Sequence, residues 1–225
     1  METFAKVLTQ DNLIFMLQGA GISLLLAAIA VVFGLILGTL GAAAKLSKYT
    51  VFRVIGNIYV EVIRGTPMLL QILFFYLAVP MIIQSITGER FVADAFICGL
   101  IALSINSGAY STELIRSGIQ GIDKGQWEAC ETIGMSYVQT MRHVILPQAF
   151  KRIIPPIVSE FITLIKDSSL ISCIGVSELL LRTQVLGAQG DYIAPLMCAG
   201  IMYLIMTLTI SFIARRLERK LAESD

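Results

Sequence analysis

Two long apolar stretches dominate the sequence, one near each end of the chain. Neither Asn12 to Ala44 nor Tyr192 to Ala214 contains a charged residue. Because about 20 helical residues cross the hydrocarbon core of a bilayer, both stretches predict membrane spans, and three segments between them are apolar enough to do the same. The pattern therefore predicts an all-α integral membrane protein with five transmembrane helices in a single domain, 1–225. The predicted spans are residues 14–43, 57–85, 95–116, 153–177 and 192–214.

The composition agrees with a membrane protein and excludes several other classes. Of the 225 residues, 56% are hydrophobic and 15% are charged, whereas a soluble domain is about 45–50% apolar and about 25% charged. A soluble enzyme and a disordered regulator are therefore excluded, and the net charge of +1 argues against a nucleic-acid binder. The first apolar run exceeds the roughly 7–15 residues of a cleavable signal peptide, so it is expected to remain in the mature protein.

Lysine and arginine are distributed unevenly between alternate connections. The first loop, the third loop and the carboxyl-terminal tail hold 13 of the 17 basic residues, while Lys6, Arg90 and Arg182 are the basic residues of the other segments. The positive-inside rule places the rich set in the cytoplasm. The sequence therefore predicts an external amino terminus and a cytoplasmic carboxyl terminus, with Lys166 left inside a span.

The third predicted loop, 117–152, is long and carries helix signals of its own. Gly134 divides the loop into two parts. A glycine is expected at a sharp corner, because it adopts backbone angles that are costly for other residues. Pro147 is expected to end the second helix of the loop. These helices either lie on the membrane surface or dock a cytoplasmic partner. Two pairs with the spacing of a capping box predict where the helices begin: Asp123 with Gln126, and Ser136 with Gln139.

The same loop contains a motif that resembles a known family. Glu128-Ala129-Cys130 is followed by Gly134 and then by Val144-Ile145-Leu146-Pro147. This resembles the EAA loop of ABC importer permeases, with Cys130 in place of the second alanine and Val144 in place of isoleucine. Further segments resemble the polar amino acid branch of that family: Arg64-Gly65-Thr66-Pro67, Ala109-Tyr110 with Glu113 and Arg116, Gly125-Gln126, and Lys166-Asp167-Ser168-Ser169-Leu170.

The resemblance implies a type I ABC importer fold in the inner membrane of a bacterium, with a cytoplasmic coupling helix between helices 3 and 4. It also implies a second permease subunit, identical or different, an extracytoplasmic solute-binding protein, an amino acid substrate and surrounding lipid, but no nucleic acid. The coupling helix would sit in a groove of a separate ATPase subunit. The coupling residues would be Gln126, Trp127, Glu128, Ala129, Cys130 and Gly134.

No cofactor or metal is expected in this chain. No Gly-Lys pair occurs, so the phosphate-binding loop G-x-x-x-x-G-K-[ST] is absent, and ATP and magnesium would be bound by the partner ATPase. The four cysteines lack C-x-x-C spacing and His143 is the only histidine. This pattern supports neither a zinc site nor a disulfide framework.

Polar side chains interrupt the fourth predicted span and share one arc of its helix. Each charge at such a depth costs about 2.5–3.5 kcal/mol on insertion scales, so this arc is expected to face a water-filled pathway or neighbouring helices. An amino acid zwitterion needs an acceptor for its ammonium group, such as Glu160 or Asp167, and a donor for its carboxylate, such as Lys166. The alternative is that these three residues form fixed ion pairs. The candidate substrate pathway is Arg64, Gln71, Asn106, Tyr110, Ser159, Glu160, Thr163, Lys166 and Asp167.

Two functions follow from these features. The first is the channel-forming permease subunit of an ATP-driven importer of polar amino acids, which works by alternating access and is not itself an enzyme. The alternative is an ion-coupled secondary carrier with Glu160 and Asp167 as coupling sites, although the long loop and the lack of an inverted repeat argue against it. An intramembrane enzyme lacks a catalytic set, because His143 stands alone.

Overall fold

The computed structural model describes residues 9–222, and the regular elements in that range are all helical. One π-helical turn lies inside α3 and another between α6 and α7, while a 3₁₀ turn follows α7. The prediction of an all-α protein is confirmed. The helices are α1 Gln10–Lys45, α2 Thr50–Arg64, α3 Met68–Thr87, α4 Ala95–Gln120, α5 Lys124–Thr132, α6 Tyr137–Thr140, α7 Leu146–Asp167, α8 Leu179–Gly187 and α9 Ile193–Ala222.

Four helices of the described chain are long and apolar enough to cross a membrane, namely α1, α3, α4 and α9. Helices α1, α4 and α9 match predicted spans and continue beyond the predicted carboxyl-terminal limits. Helix α7 lies in the region of the predicted span 153–177 but begins at Leu146 and ends at Asp167, where the 3₁₀ turn Ser168–Ile174 follows. It is not among the four, because it carries too many charged residues, namely Lys151, Arg152, Glu160, Lys166 and Asp167. The count of five spans therefore stays a prediction.

The predicted second span, 57–85, is wrong in its amino-terminal part. Helix α2 ends at Arg64, and α3 begins at Met68 with Pro67 as its N-cap residue. Proline disfavours helical angles in the residue before it, so the chain turns between the two helices instead of continuing. The apolar residues of α2 extended the hydrophobic pattern backwards and concealed this break.

Pro147 does not end the second loop helix, contrary to the sequence prediction. It lies in the first turn of α7, directly after the π-helical turn Met141–Ile145, and the N–H of Leu146 donates to the carbonyl of Met141. The wider π-helical ladder accommodates a residue that has no N–H and whose ring needs room. Pro80 follows the π-helical turn Phe74–Ala78 in the same way. The loop and α7 are therefore joined along one helical path from 137 to 167.

Helix α7 is fixed by the largest buried cluster, which joins it to α1, α3 and α4. Leu26 of α1, Ile72 of α3 and Leu103 of α4 are fully buried in this cluster, and Leu164 and Ile165 of α7 are buried against them. Burial of such a side chain contributes roughly 1.5–3 kcal/mol. This packing uses the apolar sides of α7 and leaves its polar arc for other neighbours.

Glycines of α1 allow α1 and α4 to approach closely. A Cβ atom added at Gly38 would lie 2.4 Å from the Cβ atom of Ser111, and Ser107 and Ser111 are fully buried. Small residues permit this kind of contact between membrane helices. The facing pairs are Gly34 with Ser107, Gly38 with Ser111, and Gly41 with Thr112.

Gly38→Ala is expected to destabilise the subunit by about 1–3 kcal/mol, the usual cost of overpacking, because the new methyl group overlaps Ser111. Gly21 lies in the same helix, and a Cβ atom added there meets no atom within 4 Å. Gly21→Ala is therefore the matched control and should leave stability unchanged or slightly higher, since alanine favours helix over glycine. Thermal unfolding of both purified variants measures the difference; equal melting temperatures would contradict the packing argument.

The predicted orientation can be tested at two described positions, whereas Lys6 lies outside the described residues. Gln189 is exposed between α8 and α9, on the side poor in basic residues, and Ser47 lies between α1 and α2, on the rich side. In a cysteine-free background, an impermeant thiol reagent should label Gln189→Cys in intact cells freed of any outer barrier. It should reach Ser47→Cys only after permeabilisation, and the reverse result would overturn the orientation.

Candidate functional site

Helix α5 begins at the predicted N-cap residue, but the predicted capping box is wrong, because neither of its two reciprocal hydrogen bonds forms. Oδ1 of Asp123 accepts a hydrogen bond from the N–H of Gly125 at 2.7 Å. The side chain of Gln126 does not return to Asp123 but accepts from Nε2 of Gln148 at 3.1 Å. Gln126 therefore connects α5 to the first turns of α7.

Gly134 forms the predicted corner after α5. Its φ angle is +75°, and its N–H donates to the carbonyl of Glu131 at 3.0 Å. The N–H of Met135 donates to the carbonyl of Cys130, also at 3.0 Å, so the backbone closes on itself as at many glycine-terminated helices. The second predicted capping box follows directly and is confirmed: the Ser136 hydroxyl accepts from the N–H of Gln139 at 3.4 Å, and the Gln139 side chain accepts from the N–H of Ser136 at 2.8 Å.

The six predicted coupling residues divide between two faces of this loop. Cys130 is buried, and Trp127 is half-buried with its ring stacked on that of Tyr137 at 6.3 Å between centroids. Cys130 and the stacked ring of Trp127 therefore pack within the chain, and only the exposed part of Trp127 can contact a partner. Trp127 packs against a buried cluster of Ile119, Ile122, Ile145, Ala149 and Ile153. The exposed face carries Gln126, Glu128, Ala129 and Gly134.

Five of the predicted pathway residues lie together. A groove of about 510 Å³ separates α7 from α4 and is lined by Tyr110, Ser159, Glu160 and Thr163 together with apolar side chains. A second cavity of about 330 Å³ lies on the other side of Tyr110 and includes Arg64. The guanidinium group of Arg64 stacks 4.9 Å from the centroid of the Tyr110 ring. Helices α2, α4 and α7 thus converge on one polar region.

Glu160 is half-buried on the wall of this groove. Between side chains that the structure describes, Glu113 forms ion pairs with Lys45 and, at 2.7 Å, with Arg116. Neither pair involves Glu160, Lys166 or Asp167, so the fixed ion pairs considered as the alternative are not seen among the side chains that the structure describes. Glu160 and Arg64, an acidic and a basic side chain, therefore reach the polar region without a salt bridge to another described side chain, and Glu61 lines the same cavity as Arg64.

Gln71 and Asn106 have a different place from the one predicted. Both are buried, and neither lines the groove. The Gln71 amide nitrogen donates to the carbonyls of Ile63 at 2.7 Å and Thr66 at 3.1 Å, and its oxygen accepts from Nδ2 of Asn106 at 3.1 Å. These bonds satisfy carbonyls left free at the end of α2 and hold the α2–α3 corner against α4. Gln71 therefore positions α2, and with it Arg64.

Lys166 and Asp167 lie at the last turn of α7 and do not line the groove either. Lys166 is exposed and Asp167 is half-buried, whereas the groove is formed about one to three turns earlier along the helix. The helical arc predicted from the sequence is real, but the groove opens only along its first part.

Glu178 is a buried carboxylate that the sequence analysis missed. It is fully buried, and it caps α8 by accepting from the N–H groups of Leu180 at 2.9 Å and Leu181 at 2.8 Å. It also accepts from the hydroxyl groups of Tyr203 at 2.9 Å and Ser23 at 3.3 Å. Glu178 therefore ties α1, α8 and α9 together. An acidic residue directly before the apolar run that begins at Leu179 was the available signal, since acidic residues favour helix N-termini.

Comparison with known proteins identifies the class. Residues 30–223 match the family described as binding-protein-dependent transport system inner membrane component. The arginine transport system permease protein ArtQ of Bacillus subtilis (strain 168) is 40% identical over 94% of each chain. A putative glutamine transport system permease protein GlnP of Rickettsia bellii (strain RML369-C) is 40% identical over 95% of each.

A solved structure of an amino acid ABC transporter with histidines has a TM-score of 0.87 and 36% identity, over 93% of this chain and 95% of that one. The chain belongs to the binding-protein-dependent transport system inner membrane component family. It is a membrane-embedded permease subunit of an ABC transporter, and nothing in the comparisons supports the ion-coupled carrier.

Proposed function

We propose that this chain is the channel-forming permease subunit of an ATP-driven importer of polar amino acids. One observation carries the proposal: the groove that holds Glu160, beside Arg64 and Tyr110, is formed by a helix continuous with the coupling loop. The helix that lines the polar substrate path thus runs into the second half of the coupling loop, and α5, the proposed docking helix, packs against it.

The connection between the coupling loop and the groove consists of specific contacts. Gln126 of α5 is hydrogen-bonded to Gln148 of α7, and the guanidinium group of Arg152 donates to the carbonyl of Gly121. The buried cluster that includes Ile122 and Ala149 fills the space between these segments. A displacement of α5 would therefore move α7, including Glu160, and this supports transport by alternating access.

The energy for that displacement would come from a separate ATPase subunit. The exposed side of α5 and its corner, with Glu128, Ala129 and Gly134, forms the docking surface in this proposal. ATP and magnesium are bound by that ATPase and no cofactor by this chain. A second permease subunit completes the pathway, and an extracytoplasmic binding protein delivers the substrate.

The charges beside the groove suit an α-amino acid. The Glu160 carboxylate can accept hydrogen bonds from the substrate's ammonium group. The Arg64 guanidinium can donate to the substrate's carboxylate, because its planar set of donors matches the two carboxylate oxygens. This assignment replaces Lys166 with Arg64 as the cationic group. The two relatives are named for the transport of arginine and of glutamine. These two amino acids share the ammonium and carboxylate groups but differ in side chain, so the polar region would recognise the part that both have in common.

Reconstitution tests the proposal. The subunit is co-expressed with the ATPase and binding protein that neighbouring reading frames are expected to encode, and the purified complex is placed in liposomes. Uptake of radiolabelled arginine, glutamine and other polar amino acids is expected only with ATP on the ATPase side and binding protein on the other. Uptake driven by an imposed proton or sodium gradient without ATP would refute the proposal.

A further inference from the structure

A second groove, larger than the one beside Glu160, lies where α1 leaves its apolar stretch. Its volume is about 960 Å³, and it is bounded by the end of α1, the turn into α2, the end of α4 and the segment 137–146. It shares no lining residue with the groove beside Glu160. Its inner wall is largely apolar and includes Leu46, Ile115, Ile119, Met141 and Leu146.

The rim of this groove is basic. Lys45, Lys48 and Arg53 line it, whereas no acidic side chain is among the lining residues. Lys45 is neutralised by its ion pair with Glu113. Within residues 9–222 no ion pair involves Lys48 or Arg53, and both are exposed. The rim therefore presents two uncompensated positive charges above an apolar wall.

Arg53 is held in place at the rim. Its Nη1 donates to the carbonyls of Ser47 and Lys48, both at 3.2 Å, and its Nη2 donates to the hydroxyl of Thr50 at 3.1 Å. These bonds fix the α1–α2 turn around the guanidinium group. Because a guanidinium group has five N–H donors, it keeps donors for an anion while making these contacts.

Aromatic residues on the same turn have the exposure typical of a membrane boundary. Tyr49 is 58% exposed and Phe52 54% exposed, and the ammonium group of Lys48 lies 5.2 Å from the centroid of the Tyr49 ring. Tyrosine and tryptophan concentrate at the level of lipid headgroups. The turn therefore combines a headgroup-level aromatic residue, two free cations and an apolar cleft.

We propose that this groove binds an anionic phospholipid, with the headgroup phosphate between Lys48 and Arg53 and an acyl chain along the wall of Leu46 and Met141. Basic pockets between membrane helices on the cytoplasmic side bind acidic lipid headgroups. A lipid fits better than a soluble phosphate, because the cations stand over an apolar wall that a soluble ion leaves unused. The site goes beyond the transport function and does not depend on which solute is carried.

The experiment uses the complete transporter in nanodiscs of phosphatidylcholine with increasing fractions of phosphatidylglycerol. Native mass spectrometry then measures the phosphatidylglycerol retained per complex. A charge close to an anionic surface contributes about fivefold in affinity, so Lys48→Gln should weaken retention about fivefold. Lys48→Gln with Arg53→Gln should weaken it about 25-fold. Arg215→Gln removes one exposed charge from α9, outside the groove, and should leave retention unchanged.

A further variant separates the charge from the folding of the turn. Arg53→Lys keeps the charge but loses the fork of hydrogen bonds to Ser47 and Lys48, so it should retain the lipid even if its melting temperature falls. Wild-type retention by the double variant would overturn the proposal. So would displacement of the lipid by inorganic phosphate or glycerol phosphate, which would indicate a soluble anion, or loss of the ATPase from the double variant with its bound lipid unchanged, which would indicate a protein contact.

Discussion

Gly134→Asp is expected to abolish ATP-driven uptake while the subunit still folds into the membrane. An added Cβ atom at Gly134 meets no atom of this chain within 4 Å, so the side chain projects away from the subunit. At φ +75° an aspartate is among the residues that tolerate the left-handed region best, and the fold should lose about 1–2 kcal/mol. The carboxylate would instead meet the ATPase.

The expected loss of ATPase binding in Gly134→Asp follows from the cost of a charge in a protein interface. An unpaired charge in a packed contact costs about 2 kcal/mol or more, which corresponds to about thirtyfold weaker binding of the ATPase. Co-purification of the ATPase and ATP-driven uptake in liposomes measure this directly. Wild-type values for both would show that the corner at Gly134 does not touch the ATPase.

Gly88 provides the matched control for this variant. Its φ angle is +74°, and a Cβ atom added there also meets nothing within 4 Å, but it ends α3 rather than α5. Gly88→Asp imposes the same backbone cost and adds the same charge at a distance from the coupling loop. It should therefore match Gly134→Asp in thermal stability and keep the ATPase. Loss of the ATPase from both variants would point to a general folding defect.

The sequence predicts those parts of the fold that depend on local chemistry. The charge-free stretches locate α1 and α9, and the positive φ angle of Gly134 follows from its place between two helices. The path through Pro147 is not predictable in this way, because proline near an apolar run usually marks a helix end. Here the π-helical turn Met141–Ile145 lets the helix continue through Pro147. The residues of this turn carry no sequence pattern that distinguishes them from an α-helix.

In the candidate site, too, the features set by local sequence are predictable and those set by tertiary packing are not. Helical periodicity brings Ser159, Glu160 and Thr163 to one wall, and the structure confirms that they lie together. The sequence also predicts Gln71 and Arg64 in one substrate pathway, but the helix breaks at Pro67 between them, and Gln71 uses its amide to satisfy carbonyls at that break. Such a role depends on tertiary packing, which no spacing rule along one helix contains.

Glu160→Gln is expected to weaken uptake about tenfold or more at low substrate concentration while the subunit keeps its melting temperature and its ATPase. The structure gives Glu160 no ion-pair partner among residues 9–222, so the variant leaves no cation stranded. The amide keeps the shape of the carboxylate but loses a charged acceptor. A hydrogen bond to a charged group contributes about 1.5–3 kcal/mol, and every 1.4 kcal/mol corresponds to about tenfold in binding.

Glu178→Gln distinguishes the loss of a ligand from the loss of a structural carboxylate. Glu178 is fully buried and accepts from four donors on three helices, so replacing one oxygen by an amino group leaves donors unsatisfied. The expected cost is about 1–3 kcal/mol of stability, with the substrate concentration for half-maximal uptake unchanged. Uptake at several substrate concentrations beside thermal unfolding of the same samples separates the two effects. If Glu160→Gln behaved like Glu178→Gln, with a lowered melting temperature and unchanged uptake, Glu160 would be a structural residue and the groove would not be the substrate path.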